Sequence, residues 1–101
     1  MSFRAREFEW LDEIVEKNWA KHGIEPEDAE SALLNTDPAP HIRKVADGKY
    51  MALCQVEDDG GYLVVVFAMP RPNVTRVISA RPMDSSERAE YRRRREGKQG
   101  K

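Results

Sequence analysis

The chain has 101 residues, of which 35% are charged and 40% hydrophobic, with a formal net charge of −1. That length supports one domain with one modest core. The longest apolar run, Tyr62–Pro70, is about half of the roughly 18 residues that a membrane helix needs. Met1–Arg6 is not followed by the apolar stretch of a secretion signal, and the single cysteine, Cys54, excludes an intrachain disulfide. These features predict a cytoplasmic protein without membrane association.

In chain order, Glu7–Trp10 reads as a short edge strand leading into a helix. Asp12 is a candidate N-cap, and Gly23 suits the left-handed position that ends a helix. Leu11, Ile14, Val15, Asn18, Trp19 and His22 recur at helical spacing and predict an inward stripe, with Trp10 and Trp19 as core anchors. Pro26 opens a second, short helix with Glu27 and Asp28 in its first turn, and Asn35 through Pro40 break it. His41–Val45 is a possible further edge strand. Lys49–Glu57 and Tyr62–Met69 form a hairpin around Asp58-Asp59-Gly60-Gly61. The second of these strands is apolar at every position from Leu63 to Phe67, which predicts a central strand covered on both faces. Pro70-Arg71-Pro72-Asn73 turns the chain into Val74–Arg81. A last helix opens with Asp84 and Glu87 in capping-box spacing and runs to about Glu96.

The expected fold is therefore α+β. Two amino-terminal helices pack on a small, mainly antiparallel sheet of three to four strands, and a basic helix ends the chain. Residues 1–6 are expected to be a flexible amino terminus and 7–91 a single domain. Residues 92–101 read as a basic tail, partly helical and then disordered.

Charge is distributed unevenly. Arg88–Lys101 holds seven Lys/Arg and two Asp/Glu, whereas the rest of the chain holds ten positive and sixteen negative residues. A basic end on an acidic body suits an anionic partner, either nucleic acid or an acidic protein, and equally suits a solvated tail. The final helix has little apolar surface beyond Ala89 and Tyr91, a pattern of helices held by a partner or loosely docked.

Two histidines without zinc-ligand spacing, no phosphate-binding glycine loop and no complete calcium loop leave no metal or cofactor motif. What remains is cationic. Lys21, His22, Lys49, Arg76, Arg81 and Arg88 come from separate elements and could converge on a phosphate. Such a group could hold a polyanion, or stabilise the charge that builds when a phosphodiester is attacked by its own 2′-hydroxyl. That reaction needs positioning, a base and charge stabilisation, and His22 suits the base by its ordinary pKa. His22 could equally just close the first helix. Arg76 and Arg81 are five apart, so a regular strand points them to opposite faces, and they share a site only across a bulge or beyond the strand's end. On regular alternation Arg76 shares its face with Val74, Ile78 and Ala80. Lys49, opening its strand, could instead be edge protection, and Cys54 reads as a small core residue.

Phe8-Glu9-Trp10, Asn18 and Lys21-His22-Gly23 resemble the opening pattern of the BrnT toxins. Leu63–Val66 followed by Arg76-Val77-Ile78-Ser79-Ala80-Arg81, and then Glu87-Arg88 and Tyr91, resemble the strand pair and closing helix of that family. The match spans roughly Phe8 to Tyr91. The chain departs from the family pattern at Leu11, Asp12 and Ile14, at Gly48-Lys49 where a Glu-Arg pair is usual, and at Cys54 in place of a glycine. Lys49 keeps the charge but loses arginine's bidentate fork.

The resemblance implies a RelE-like fold and a metal-independent endoribonuclease toxin, without cofactor, that cleaves RNA and inhibits translation. It also implies a cognate DNA-binding, BrnA-like antitoxin and a toxin–antitoxin hetero-oligomer. On this reading His22, Lys49, Arg76, Arg81 and Glu87 are the catalytic candidates, with His22 and Glu87 both open as the proton-transfer group. Lys21, Arg88, Tyr91 and Arg92 are the RNA-binding candidates. The alternative is a catalytically inactive module of the same fold that acts as a regulatory protein partner.

Overall fold

The computed structural model describes residues 7–35, 39–57 and 60–99. The expected flexible segment 1–6, the turn at 58–59 and the last two residues of the tail lie outside the described residues. The elements are β1 (Glu7–Glu9), α1 (Asp12–His22), α2 (Pro26–Leu34), β2 (His41–Ala46), β3 (Lys49–Glu57), β4 (Gly60–Arg71), β5 (Val74–Pro82) and α3 (Ser85–Gln99). No helix among them is long and apolar enough to cross a membrane.

The α+β class holds, but the expected arrangement needs correction. The strands form one five-stranded mixed sheet in the order β1-β5-β4-β3-β2, not a mainly antiparallel sheet of three to four. β1 precedes both amino-terminal helices and pairs parallel with β5, from Glu7 opposite Val74 to Glu9 opposite Arg76. The strand falls where Glu7–Trp10 predicts it, but its parallel pairing with a segment some 67 positions away leaves no local trace. The other pairings are antiparallel.

Strand alternation divides the sheet into two faces. Ala52, Cys54, Leu63, Val65, Phe67, Val77 and Ala80 pack with Ile24 and with Ala29, Ala32 and Leu33 of α2. Small residues on both sides, Ala29 and Ala32 against Ala52 and Cys54, let α2 lie close over the sheet. Burial pushes the Cys54 thiol up to about 12, so it is an inert core group. On the opposite face Leu53 and Val64 pack with Met83 and with Tyr91, the one buried side chain of α3 among the described residues. β4 is thus central and covered on both faces, as its unbroken apolar run requires.

α1 departs from expectation in two ways. Leu11, not Asp12, occupies the N-cap, and Asp12 lies in the first turn. The inward stripe is narrower than its spacing suggests: Asn18 is buried, but Leu11, Trp19 and His22 are exposed, with Trp19 at 59%. Trp10 does anchor, packing on the core while its indole N–H donates to Glu30 Oε2 at 2.7 Å. The ends of the helices follow their sequence signals. Gly23 takes φ 64° at the end of α1. Glu25 and Asp28 form a reciprocal capping box around Pro26. α3 carries the expected Asp84–Glu87 box and continues past Glu96 to Gln99.

Gly61 lies at the start of β4 with φ +65°, where an added Cβ would stand 2.8 Å from Val56 Cβ. Gly61→Ala therefore combines a left-handed penalty with a clash between neighbouring strands. We expect a loss of about 1–3 kcal/mol, read as a lower urea midpoint at unchanged slope.

Candidate active site

The helix α3 covers only part of its face of the sheet, and the uncovered part is where the cationic residues gather. Lys49 on β3 is opposite Ala68 on β4, which is opposite Arg76 on β5, and Arg76 is opposite Glu9 on β1. These four form one cross-strand row on the α3 side. The next row is Arg43, Met51, Val66 and Ser79, and the one beyond it is His41, Leu53, Val64 and Arg81. At about 4.8 Å per strand, Lys49 and Arg76 are roughly 10 Å apart at Cα, within joint reach of one phosphate.

Arg76 and Arg81 share this face because β5 is bulged. Its register jumps from Ser79 opposite Val66 to Val77 opposite Phe67, which leaves Ile78 as the extra residue. Val77 and Ala80 both stay in the core, while Arg76, Ser79 and Arg81 all turn to the α3 side. The bulge therefore supplies the condition that five-residue spacing demanded. It also overturns the expectation that Arg76 shares its face with Ala80.

Arg81 and Glu87 form a bidentate pair, with both guanidinium nitrogens donating at 2.8 Å to the two carboxylate oxygens. The same carboxylate accepts the Asp84 N–H at 2.9 Å, so the capping box that starts α3 also aims Glu87 at β5. The hydrogen bond to Arg81 holds the Glu87 carboxyl below its usual value, against the effect of partial burial, with help from the Asp84 backbone and the charges of Arg81 and Arg43. The Glu87 bond raises the Arg81 pKa in turn. A depressed carboxyl stabilises the fold above its unfolded pKa of about 4.3 and loses that contribution as pH falls through the lower folded value. Urea midpoints measured from pH 7 down to pH 3 should thus fall more steeply for the native chain than for Glu87→Gln, the difference opening below about pH 4.3.

Arg76 donates through Nε to Glu9 Oε1 at 3.0 Å, and Arg71 reaches the other oxygen of Glu9 at 3.2 Å. Glu9 therefore sets the orientation of Arg76 at the sheet edge. Arg43 of β2 lies 3.6 Å from Glu90 of α3, on the flank of the same open face. Arg43, Glu9 and Glu90 were missed from the sequence. Arg43 could have been found only by extending the alternation of β3 across to β2, and Glu9 only through the parallel pairing.

The other candidates lie elsewhere. Lys21 and His22 are exposed at the end of α1. That helix sits along the free edge of β5, where the Asn18 side chain accepts the Ala80 N–H at 3.4 Å. Among the described residues no hydrogen bond or ion pair links either one to the Arg81–Glu87 pair. Arg88 and Arg92 are exposed on α3, while Tyr91 is buried and its ring faces the core rather than the open face. Among the described residues no three His, Cys, Asp or Glu side chains come together as metal ligands would.

A sheet face that carries Lys49, Arg76 and the Arg81–Glu87 pair suits an extended polyanion rather than a small apolar ligand. Comparison with solved structures finds the 1.1 Å crystal structure of the ribonuclease toxin BrnT from Brucella abortus, which shares this fold. The TM-score is 0.63 at 21% identity, over 78% of this chain and 97% of that one. No curated protein matches the chain. The family model for the ribonuclease toxin BrnT of type II toxin–antitoxin systems matches residues 10–87, from Trp10 to the Glu87 that pairs with Arg81. The chain therefore belongs to the BrnT family of type II ribonuclease toxins.

Proposed function

We propose that this protein is the toxin of a type II pair and cleaves RNA without a metal ion, using the open face beside α3. The observation that carries the reading is the bulge in β5, which sets Arg76 and the Arg81–Glu87 pair on one face together with Lys49. Lys49 and Arg76 grip the nonbridging oxygens of one phosphate, and Arg81 stabilises the extra charge of the pentacoordinate state. Glu87, ionised at neutral pH, accepts the proton of the adjacent 2′-hydroxyl as its oxygen bonds to phosphorus. The bond to the 5′-oxygen breaks, and that oxygen takes a proton from the Lys49 ammonium, leaving a 2′,3′-cyclic phosphate and a 5′-hydroxyl. An incoming phosphate also competes with Glu87 for Arg81. As Arg81 turns to the phosphate, the cause of Glu87's low pKa is removed and its basicity rises. Glu87 is favoured over His22 as the base because it alone of the two is held against an arginine of this face.

In the cell the protein acts in the cytoplasm, halts translation, and is neutralised in a hetero-oligomer with a DNA-binding antitoxin of the BrnA kind. The direct test is the purified chain with a short RNA in excess chelator. Cleavage to a 2′,3′-cyclic end, with an all-deoxy strand left intact, is expected. Cutting of the deoxy strand, or loss of cutting on chelation, would overturn the mechanism. Binding of the RNA without cutting would return the chain to the inactive regulatory module. Induced expression should arrest growth, and co-expression of the antitoxin should restore it.

A further inference from the structure

A cavity of about 280 Å³ opens where α1 ends and α2 begins, lined by Val15, Trp19, Ile24, Glu25, Pro26 and Glu27. Ile24 belongs to the core on the α2 side of the sheet, so the cavity lies across the sheet from Lys49, Arg76 and Arg81. Trp19 in its wall is 59% exposed, and Leu11, at the other end of the same helix, is 53% exposed. Leu11, Val15 and Trp19 recur every four residues and form one apolar line along α1 that leads into the cavity. An exposed tryptophan on such a line, beside a cavity with room for a large apolar side chain, has the make-up of the centre of a protein interface.

The charge around this line decides what can cover it. Asp12 and Glu16, both exposed, run beside it at the same four-residue spacing, and Glu25 and Glu27 lie in the cavity wall. Residues 12–34 hold seven Asp/Glu and two Lys. Lys17 and Lys21 are two positions off the apolar line, on another side of the helix, and His22 is one turn beyond Trp19. An RNA strand or an anionic membrane surface would be repelled here. A second copy presenting this same face would oppose two acidic rims. A second copy presenting its basic α3 would bring only Ala89 to an apolar cavity, because Tyr91 is buried. What complements the face is a polypeptide with an apolar side chain for the cavity and Lys or Arg on either side of it.

We propose that the line of Leu11, Val15 and Trp19, with the cavity at its end, is the surface that anchors the antitoxin, through an apolar side chain flanked by Lys or Arg. Naming the antitoxin as occupant rests on the toxin reading, but the anchor is across the sheet from the cleavage residues and is separable from them. The test titrates the full chain with the small protein encoded next to it as its antitoxin, by calorimetry and by amide NMR shifts. Amides of residues 19–27 should shift on binding. Trp19→Ala should raise Kd about thirtyfold or more, while its Tm and its RNA-cleavage rate stay at native values. Glu16→Lys combined with Glu27→Lys should slow association and flatten its salt dependence. No binding, native affinity in both variants, or shifts confined to the α3 side would overturn the anchor. So would a dimer of the chain alone that Trp19→Ala dissolves and the antitoxin does not displace, which would give the face to a second copy. A chain that binds the antitoxin through Trp19 but cuts no RNA keeps the anchor and sinks the cleavage mechanism. A chain that cuts RNA and binds the antitoxin equally well without Trp19 does the reverse.

Discussion

Arg81→Ala should lower the rate of RNA cleavage by about 10²–10³-fold, the usual effect of removing one preorganised charge-stabilising donor. The side chain is at the centre of the site: it grips Glu87 with both terminal nitrogens and faces the same side as Arg76 and Lys49. On the proposed mechanism its loss removes stabilisation of the phosphorane charge and frees Glu87 from the bond that aims it. Arg81→Lys should recover only part of the rate, because an ammonium keeps the charge but cannot span both carboxylate oxygens. Folding should change little by comparison. The Arg81 side chain is 42% exposed, and ion pairs in that setting contribute on the order of 1 kcal/mol or less. Arg76→Ala should be less damaging, since Arg76 is committed in part to Glu9. The double variant should cost less than the product of the two single losses if both arginines serve one phosphate. Cleavage rates on a defined RNA, beside urea midpoints for each variant, decide the matter. An Arg81→Ala protein that cuts within threefold of the native rate would remove this residue from the mechanism.

What could be read in advance followed the range of the interactions involved. The Asp84–Glu87 box, Gly23, Pro26 and the buried run of β4 are set by residues within a few positions of one another, and each appears where its sequence places it. The sharing of one face by Arg76 and Arg81 was legible only as a condition. Alternation forbids it, and the bulge that permits it depends on how β4 packs from Val66 to Phe67. The short β1 was legible as an edge strand, but its parallel pairing with β5 was invisible to periodicity, and with it the role of Glu9 as the carboxylate that holds Arg76 and Arg71. Trp19 shows the opposite error. It falls on the helical stripe of α1, yet α1 lies along the free edge of β5 rather than squarely on the sheet, so only Asn18 on that stripe is fully covered. His22 was the natural base by its chemistry alone, but at the end of α1 it is exposed and, among the described residues, has no hydrogen bond or ion pair to the Arg81–Glu87 pair.

Tyr91→Ala should release α3 from the sheet while the rest of the domain stays folded. The helix has 15 residues, but among those with described side chains only Tyr91 is buried, packed on Leu53, Val64 and Met83 and edge-on to Tyr62. Truncating a buried aromatic of this size costs about 3–5 kcal/mol. The other ties are the Arg81–Glu87 pair at the first turn, the half-exposed Arg43–Glu90 pair and the bond from Arg95 to Gln55, polar contacts near solvent that cannot replace that loss. A free helix of this length is marginal in water even with good formers, so undocking and unwinding should occur together. Trypsin reports the event directly, because Arg92–Arg95 offer successive cleavage sites that a docked helix protects. Cutting in this run should accelerate about a hundredfold or more, at 1.4 kcal/mol per factor of ten, with a loss of far-UV helical signal and retention of the strand signal. RNA cleavage should fall as well, because Glu87 rides on the first turn of α3 and leaves Arg81 when the helix departs. If trypsin cuts Tyr91→Ala no faster than the native chain and the helical signal persists, a single aromatic does not hold α3. The docking would then have to come from its charged flanks.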